Sequence, residues 1–250
     1  MTSVSRRIGP ISLIATDPVG AVHEVFNLVD AGRGAHVHLA NAYTVALADK
    51  DSAYRAILSN EAVNFPDGRP LSVISRVRGD KPPLSQVRGP QLFLDVLDAG
   101  RERQLKHFLL GSTDEVLELI HTNVELQYPG VLFVGAESPP FRVLTPVELA
   151  EQDARIADSK ADIVWVGLGT PKQDVEVKRI ANSLPVVAMA VGAAFDFTAG
   201  TLKPAPHWVR RLGVEWLHRL VSEPRRLWKR YLFGNARFLV AVCRPRWARK

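Results

Sequence analysis

The chain has 250 residues, 46% apolar and 23% charged, a balance that fits one large or two small globular domains and excludes collagen-like, low-complexity and small disulfide-stapled chains. Its single cysteine, Cys243, allows no intrachain disulfide, which suits a reducing compartment. The net charge of +6 hides an asymmetry: residues 201–250 hold 13 of the 32 Lys and Arg but only Glu215 and Glu223 of the 26 acids, giving +11 against −5 for the first 200 residues.

In chain order, the first segment, with two arginines, has no apolar run long enough for a signal peptide. A strand is predicted at 35–39 and a helix at 43–58. A short strand follows at 61–65, and 89–103 carries apolar residues at 92, 93, 96 and 97, the spacing of one helix face. A strand at 106–110 ends at Gly111, and Ser112 or Thr113 caps a helix running to Leu126. The turn Tyr128-Pro-Gly130 precedes a strand at 131–134, and Thr145-Pro146 opens another helix. A strand at 162–166, a helix at 172–181 and a strand at 185–191 complete the body. Strands separated by helices of this length imply βαβ units and a parallel sheet, hence an α/β fold. The longest apolar stretch, 184–195, is too short for a membrane span. Composition changes near residue 200, which predicts a body over 1–200 and a basic appendage over 201–250.

Three loops attract a chemical reading. Around Gly167-Leu-Gly169 a strand passes through a glycine turn into a helix that starts near Lys172 and Gln173. Backbone N–H groups at such a helix start favour a phosphate, although the third glycine of the dinucleotide fingerprint is lacking, and any βα turn in a doubly wound sheet can look like this. Pro66-Asp-Gly68 is first a turn sequence. It would also set Asp67 at the C-terminal edge of the sheet, where open α/β folds build their sites and a carboxylate can act as general base. Gly111-Ser-Thr113 reads as capping alone. Asp49 and Asp51 resemble a metal-binding pair, but i and i+2 diverge by about 200° on a helix, so both are read as solvated charge. His36 and His38 share one strand face without partner ligands of recognisable spacing, and are read as core or edge residues. No metal site and no cofactor are predicted.

The last fifty residues also hold Trp208, Trp216, Trp228 and Trp247, four of the five tryptophans. On a helical wheel Arg226, Arg230 and Arg237 fall within about 40° of one another, with Leu227, Tyr231, Leu232, Phe238, Leu239 and Val242 as the opposing stripe. Arg219 joins them only if the helix phase passes through Pro224, which proline opposes. An ordinary surface helix docked on the body would show this pattern. So would a helix lying on an anionic membrane or closing over a phosphate-rich ligand, and the Arg and Trp excess favours these.

Several segments stand in one order: Asn41-Ala-Tyr-Thr-Val45, Pro66-Asp-Gly68, Arg88-Gly89, Phe108-Leu-Leu-Gly111, Tyr128-Pro-Gly130, Val166-Gly-Leu-Gly-Thr-Pro-Lys-Gln173, Val191-Gly192 with Phe195-Asp-Phe-Thr-Ala-Gly200, and Gly213-Val-Glu-Trp-Leu-His-Arg219 with Glu223-Pro224, Arg230 and Tyr231. Together they resemble the WecG/TagA/CpsF family of bacterial glycosyltransferases over roughly residues 35–240. The resemblance implies a Rossmann-like body with a basic, helical C-terminal appendage. It implies an inverting, metal-independent enzyme that moves a sugar (N-acetylmannosamine, its uronic acid or a hexose) from a UDP-sugar to a polyprenyl-diphosphate-linked saccharide. Such enzymes act in cell-surface polysaccharide synthesis, on the cytoplasmic face of the membrane.

On this reading Asp67 is the general base, Asn41 and Thr44 orient substrate hydroxyls and Arg88 binds charge near the reacting centre. Gly167, Gly169, Gln173 and Asp196 belong to the donor pocket. Arg219, Arg226 and Arg230 complete the site or grip the lipid diphosphate. The expected partners are the UDP-sugar, the lipid-linked acceptor and an anionic membrane surface, and not nucleic acid. The chain departs from the family pattern at Pro204-Ala-Pro206, where an arginine is usual and Lys203 stands nearby. It departs again at Asp174, usually Glu, and at Thr198, often His. Two other classes compete. A nucleotide-sugar oxidoreductase requires the absent dinucleotide fingerprint. A non-catalytic membrane or nucleic-acid adaptor would bind no UDP.

Overall fold

A computed structural model describes residues 4–59, 61–203 and 224–244, with backbone alone for 224–233. The chain begins with an antiparallel hairpin, β1 (Ser5–Ile8) and β2 (Ile11–Ile14). Its Gly9-Pro10 turn places Gly9 at φ +58, in the left-handed region that glycine enters without strain. Asp17 caps α1 (Pro18–Asp30), accepting from the Gly20 N–H at 2.7 Å, and Pro18 supplies the preset φ of a first helical residue. Then follow β3 (Ala35–Ala40), α2 (Ala42–Lys50), α3 (Ser52–Ile57), β4 (Val63–Pro66), α4 (Arg69–Val77) and α5 (Gly89–Gly100). The second half contains β5 (Lys106–Gly111), α6 (Asp114–Gln127), β6 (Leu132–Glu137), α7 (Pro146–Ser159), β7 (Ile163–Gly167), α8 (Lys172–Ser183), β8 (Val187–Ala190) and α9 (Ala194–Ala199). A long helix, α10 (Pro224–Cys243), comes last.

Six strands form one parallel sheet in the order β4-β3-β8-β7-β5-β6. Side chains alternate between its faces. Val37, Leu39, Ile163, Trp165 and Met189 meet α1, α5, α6 and α9 on one side, where Phe93 stands edge-on to Trp165 at 4.8 Å between ring centres. Val164, Val166, Ala188 and Ala190 meet Val177 and Ile180 of α8 and Ile156 of α7 on the other. Burial on both faces explains the near-continuous apolar strands. The α/β expectation holds, and the predicted strands recur within one to three residues at their ends.

The helix expected over 43–58 is two. Asp51 takes extended φ and ψ of −115° and 114°, and its carboxylate accepts the N–H groups of Ala53 and Tyr54 at 2.8 and 3.1 Å. An aspartate that finds two orphan amides makes a better N-cap than an interior residue. The break turns Tyr54 inward, where it is 4% exposed.

The C-terminal half of α10 lies on α2. Phe238 and Ala241 are buried in one cluster with Val45, Ala48 and the hairpin residues Ile8 and Ile11. At Gly234 a β-carbon would come within 3.2 Å of the Tyr43 ring. Arg78 donates to the Val242 carbonyl at 2.9 Å. This packing corrects one expectation: Asp49 is buried, its side chain 0% exposed, and it bonds Arg244 at 3.0 Å with Arg237 3.9 Å away. A carboxylate removed from water needs cationic partners, and α10 and the residue after it supply them. Arg237 is thus engaged with the body. On the far side of this segment Leu239 and Val240 are exposed. Among the described residues no helix is long and apolar enough to cross a membrane.

Candidate active site at the carboxyl edge of the sheet

Every βα connection of a parallel sheet emerges at the carboxyl ends of its strands. A crevice opens where neighbouring strands send their helices to opposite faces. β3 and β8 are such neighbours: β3 leads to α2 on one face, β8 to α9 on the other. The residues singled out in the sequence line the loops around this point.

Asn41 ends β3 and caps α2. Its Oδ1 accepts from the Tyr43 and Thr44 N–H groups at 3.0 and 3.3 Å, and the Thr44 hydroxyl accepts the Asn41 N–H in return at 3.2 Å. This capping box uses the carbonyl end of the amide, so the Asn41 Nδ2 has no partner among the described residues. Thr44 is itself buried at 2% exposure.

Asp67 follows β4 directly, and its N–H donates to Ala40 O at 2.7 Å, extending the β3–β4 ladder by one rung. The loop between α4 and α5 is tied back to the same place, because the Val87 N–H reaches Pro66 O at 2.8 Å. That bond brings Arg88, the residue before α5, to the end of β4. A β-carbon at Gly68 would contact Asn41 Cβ at 3.4 Å, and one at Gly89 would lie 3.2 Å from Val191 O. Asn41, Asp67 and Arg88 are each part-buried, so they stand at one end of the crevice and remain accessible.

The β7 turn forms the other end. Gly167 closes β7 under the Phe195 ring, where a β-carbon would lie 2.6 Å from Cδ2. Gly169 has φ +76, and its N–H donates to Gln173 Oε1 at 2.9 Å. Gln173 is 4% exposed, and its amide lies within 4 Å of a β-carbon built on Gly192, in the β8–α9 turn. Asp196, on α9, uses its carbonyl oxygen to hold the N–H of Leu202 and the Thr201 hydroxyl. The start of α8 and the two glycine turns thus converge beside β8; the N–H groups of Gly169, Gln173 and Asp174 are held by Gln173 Oε1, Gly169 O and Pro171 O, so the Lys172 N–H and the positive end of the helix are what α8 offers an anionic group.

Behind the crevice lies a buried polar chain. Asp174, 4% exposed, accepts from Tyr54 O–H through Oδ2 at 2.9 Å and meets His38 Nδ1 through Oδ1 at 2.9 Å. His38 Nε2 lies 2.8 Å from His36 Nδ1. Carboxylate oxygens accept, so the His38 Nδ1 hydrogen is directed at Asp174. Burial, reinforced by His38 and Lys178, pushes the His36 imidazole down to about 4. Burial and the Asp174 carboxylate push the Tyr54 phenol up. The two histidines are core residues as expected. The roles of Tyr54 and Asp174 were not apparent in the sequence, where the only cue was the Asp that replaces the usual Glu after Gln173.

Among the described residues no group of three His, Cys, Asp or Glu is placed to hold a metal ion. Asp49 is taken by arginines and Asp51 by its capping duty. Of the predicted appendage arginines, Arg219 lies outside the described residues. Arg226 and Arg230 fall on α10, but their side chains lie outside the described set.

The model of the glycosyl transferase WecG/TagA/CpsF family matches residues 6–250. The chain is 31% identical over 205 residues to an N-acetylglucosaminyldiphosphoundecaprenol N-acetyl-beta-D-mannosaminyltransferase of Bacillus spizizenii, covering 82% of this chain and 77% of that one. It is 30% identical, with the same coverage, to the protein of that name from Bacillus subtilis. The crevice, its loops and these similarities together show that the chain belongs to the WecG/TagA/CpsF family of glycosyltransferases.

Proposed function

We propose that the protein transfers an N-acetylmannosamine-type sugar from its UDP ester to a polyprenyl-diphosphate-linked N-acetylglucosamine, with inversion at the anomeric carbon and without a metal ion. The observation that carries this reading is the pairing of two loop groups across one crevice: Asn41, Asp67 and Arg88 at the ends of β3 and β4, and the Gly167–Gly169–Gln173 turn after β7. The acceptor is a neutral hydroxyl, a poor nucleophile. Asp67 takes its proton as the new bond forms. Asn41 offers its Nδ2 hydrogens to a substrate oxygen, and Thr44 holds that amide in place from behind. The leaving UDP gains negative charge as the glycosidic bond breaks. The positive end of α8 and its Lys172 N–H stabilise that charge, with Arg88 and the appendage arginines Arg219, Arg226 and Arg230 as cations. Asp196 serves the donor side through the β8–α9 turn. The names of the two Bacillus relatives specify a β-mannosaminyl product. A donor linked α to its diphosphate reaches that product by a single displacement, which is inversion.

The basic appendage and the exposed Leu239 and Val240 support peripheral attachment to an anionic membrane surface, where a polyprenyl acceptor resides. The test is a panel of UDP-sugars with a short-chain polyprenyl-diphosphate-GlcNAc analogue, followed by a lipid-linked disaccharide. A β-linked product from UDP-N-acetylmannosamine is expected. Transfer of another sugar, or only to the disaccharide, would reject the stated substrates. No transfer from any UDP-sugar would reject the activity.

A further inference from the structure

We infer that Tyr54, Asp174 and His38 form a positioning clamp that sets the donor pocket, by fixing the first turn of α8 against β3 and α3. The inference rests on the donor-site reading given above and extends it to three residues that do not touch the substrate.

The clamp joins three elements. Tyr54, on α3, donates to Asp174 Oδ2, and His38, on β3, meets Asp174 Oδ1 at the start of α8. Asp174 is the third residue of α8, directly after Gln173, whose Oε1 holds the Gly169 N–H. One carboxylate therefore anchors the helix turn that carries both the Gln173 side chain and the Lys172 N–H on the donor side. It does so from two different elements, β3 and α3, so the turn is held against both sliding along the sheet and rotation about the α8 axis.

Energetics argue that the clamp is not there for stability alone. A carboxylate with 4% exposure loses its hydration, and a well-packed apolar group of similar volume at such a place is often as stable or more so. What an apolar group lacks is direction. Two hydrogen bonds at 2.9 Å fix the azimuth of α8, where dispersion contacts tolerate sliding. Displacements near 1 Å in substrate-positioning groups reduce turnover by as much as about 100-fold, so directional fixing has a functional return.

The experiment uses Tyr54→Phe, Asp174→Asn and the double variant in the full chain. UDP affinity is read by calorimetry, the donor and acceptor KM by turnover, and folding by thermal melting. Tyr54→Phe removes one hydroxyl and keeps the ring, so it remains informative where Asp174→Asn fails to fold. The expected result is a rise of about tenfold in UDP Kd and donor KM for each single variant, with acceptor KM unchanged. The double variant should show much less than the product of the two effects, as expected for residues in one network. Folded single variants that bind UDP as tightly as the wild type would overturn the inference while leaving the donor site intact, as would donor and acceptor KM rising together. Wild-type protein that binds no UDP would overturn the donor-site reading, and the clamp's role with it.

Discussion

Replacing Phe238 by alanine separates a tail that merely touches the body from one that completes it. Phe238 is 3% exposed and packs with Val45, Ala48, Ile8 and Ile11. Truncation of a buried phenylalanine costs about 3–5 kcal/mol, the transfer term plus the void left behind. If α10 unfolds only together with the body, that cost appears in the global transition. At about 2–4 °C per kcal/mol for a chain of this size, Tm should fall by roughly 6–20 °C. If α10 can leave first, the same cost appears in the local opening of its amides. Exchange at the Phe238–Cys243 end of the helix should then speed up by a factor of about 10² to 4 × 10³, since each 1.4 kcal/mol is tenfold. Hydrogen exchange by mass spectrometry, run beside calorimetric melting, reads both. The Arg78 bond to the Val242 carbonyl and the Arg244 bond to Asp49 should keep the helix near its seat in either case. A variant with unchanged Tm and unchanged exchange in α10 would refute the packing on which the argument rests.

Four further outcomes are expected. Asp67→Asn should keep fold and UDP binding and lower turnover by ~10²–10⁴, the usual share of general acid–base catalysis; near-wild-type turnover in a rate-limiting chemical step removes Asp67 from that role. Turnover should survive EDTA, and Asp49→Ala should reduce thermal stability without abolishing transfer; loss in EDTA with rescue by Mg²⁺ or Mn²⁺ would contradict this. Burial holds His36 at about 4 and His107 at about 3. The unfolded imidazoles bind protons below pH ~6.5 and the folded ones only well below it, so stability is complete above pH ~6.5 and declines as pH falls. Each penalty grows to about 3–5 kcal/mol at most; urea melts from pH 7.5 to 4 that show no such decline would refute it. Finally, binding to anionic vesicles should weaken between 0.05 and 0.5 M salt as the Debye length shortens, and Arg226→Ala/Arg230→Ala should weaken it further; flotation indifferent to both would leave the appendage without a membrane role.

The parts of the fold that were legible in the sequence are those with local causes. Thr145-Pro146 and Thr113 announce their helices because a cap needs only its own next three residues: Glu148 and Thr145 exchange bonds at 2.7 and 3.3 Å. Strands such as β7 declare themselves by unbroken apolar runs. What escaped is non-local. The β1–β2 hairpin is four residues a side, and its Ile8, Ile11 and Leu13 are buried by partners far along the chain. The burial of Asp49 depends on arginines 188 and 195 positions later. For the candidate site, the placement of Asn41, Asp67 and the Gly167–Gln173 turn at strand ends was legible because strand-to-loop transitions are written in short segments. The Tyr54–Asp174 bond spans 120 positions, and no local period records it.

The seating of α10 on α2 also has a consequence in time. The surface formed by Val45 and Ala48 is made about 190 residues before Phe238 and Ala241, which cover it. At about 5–20 residues per second, roughly 10–40 s separate the two on a translating ribosome. During that interval the nascent chain carries an open apolar face beside the hairpin, although the later strands β5 to β8 can already pair. That face is where a chaperone or a second nascent chain would bind, and slower elongation between β8 and α10 should lengthen its exposure without altering the finished protein.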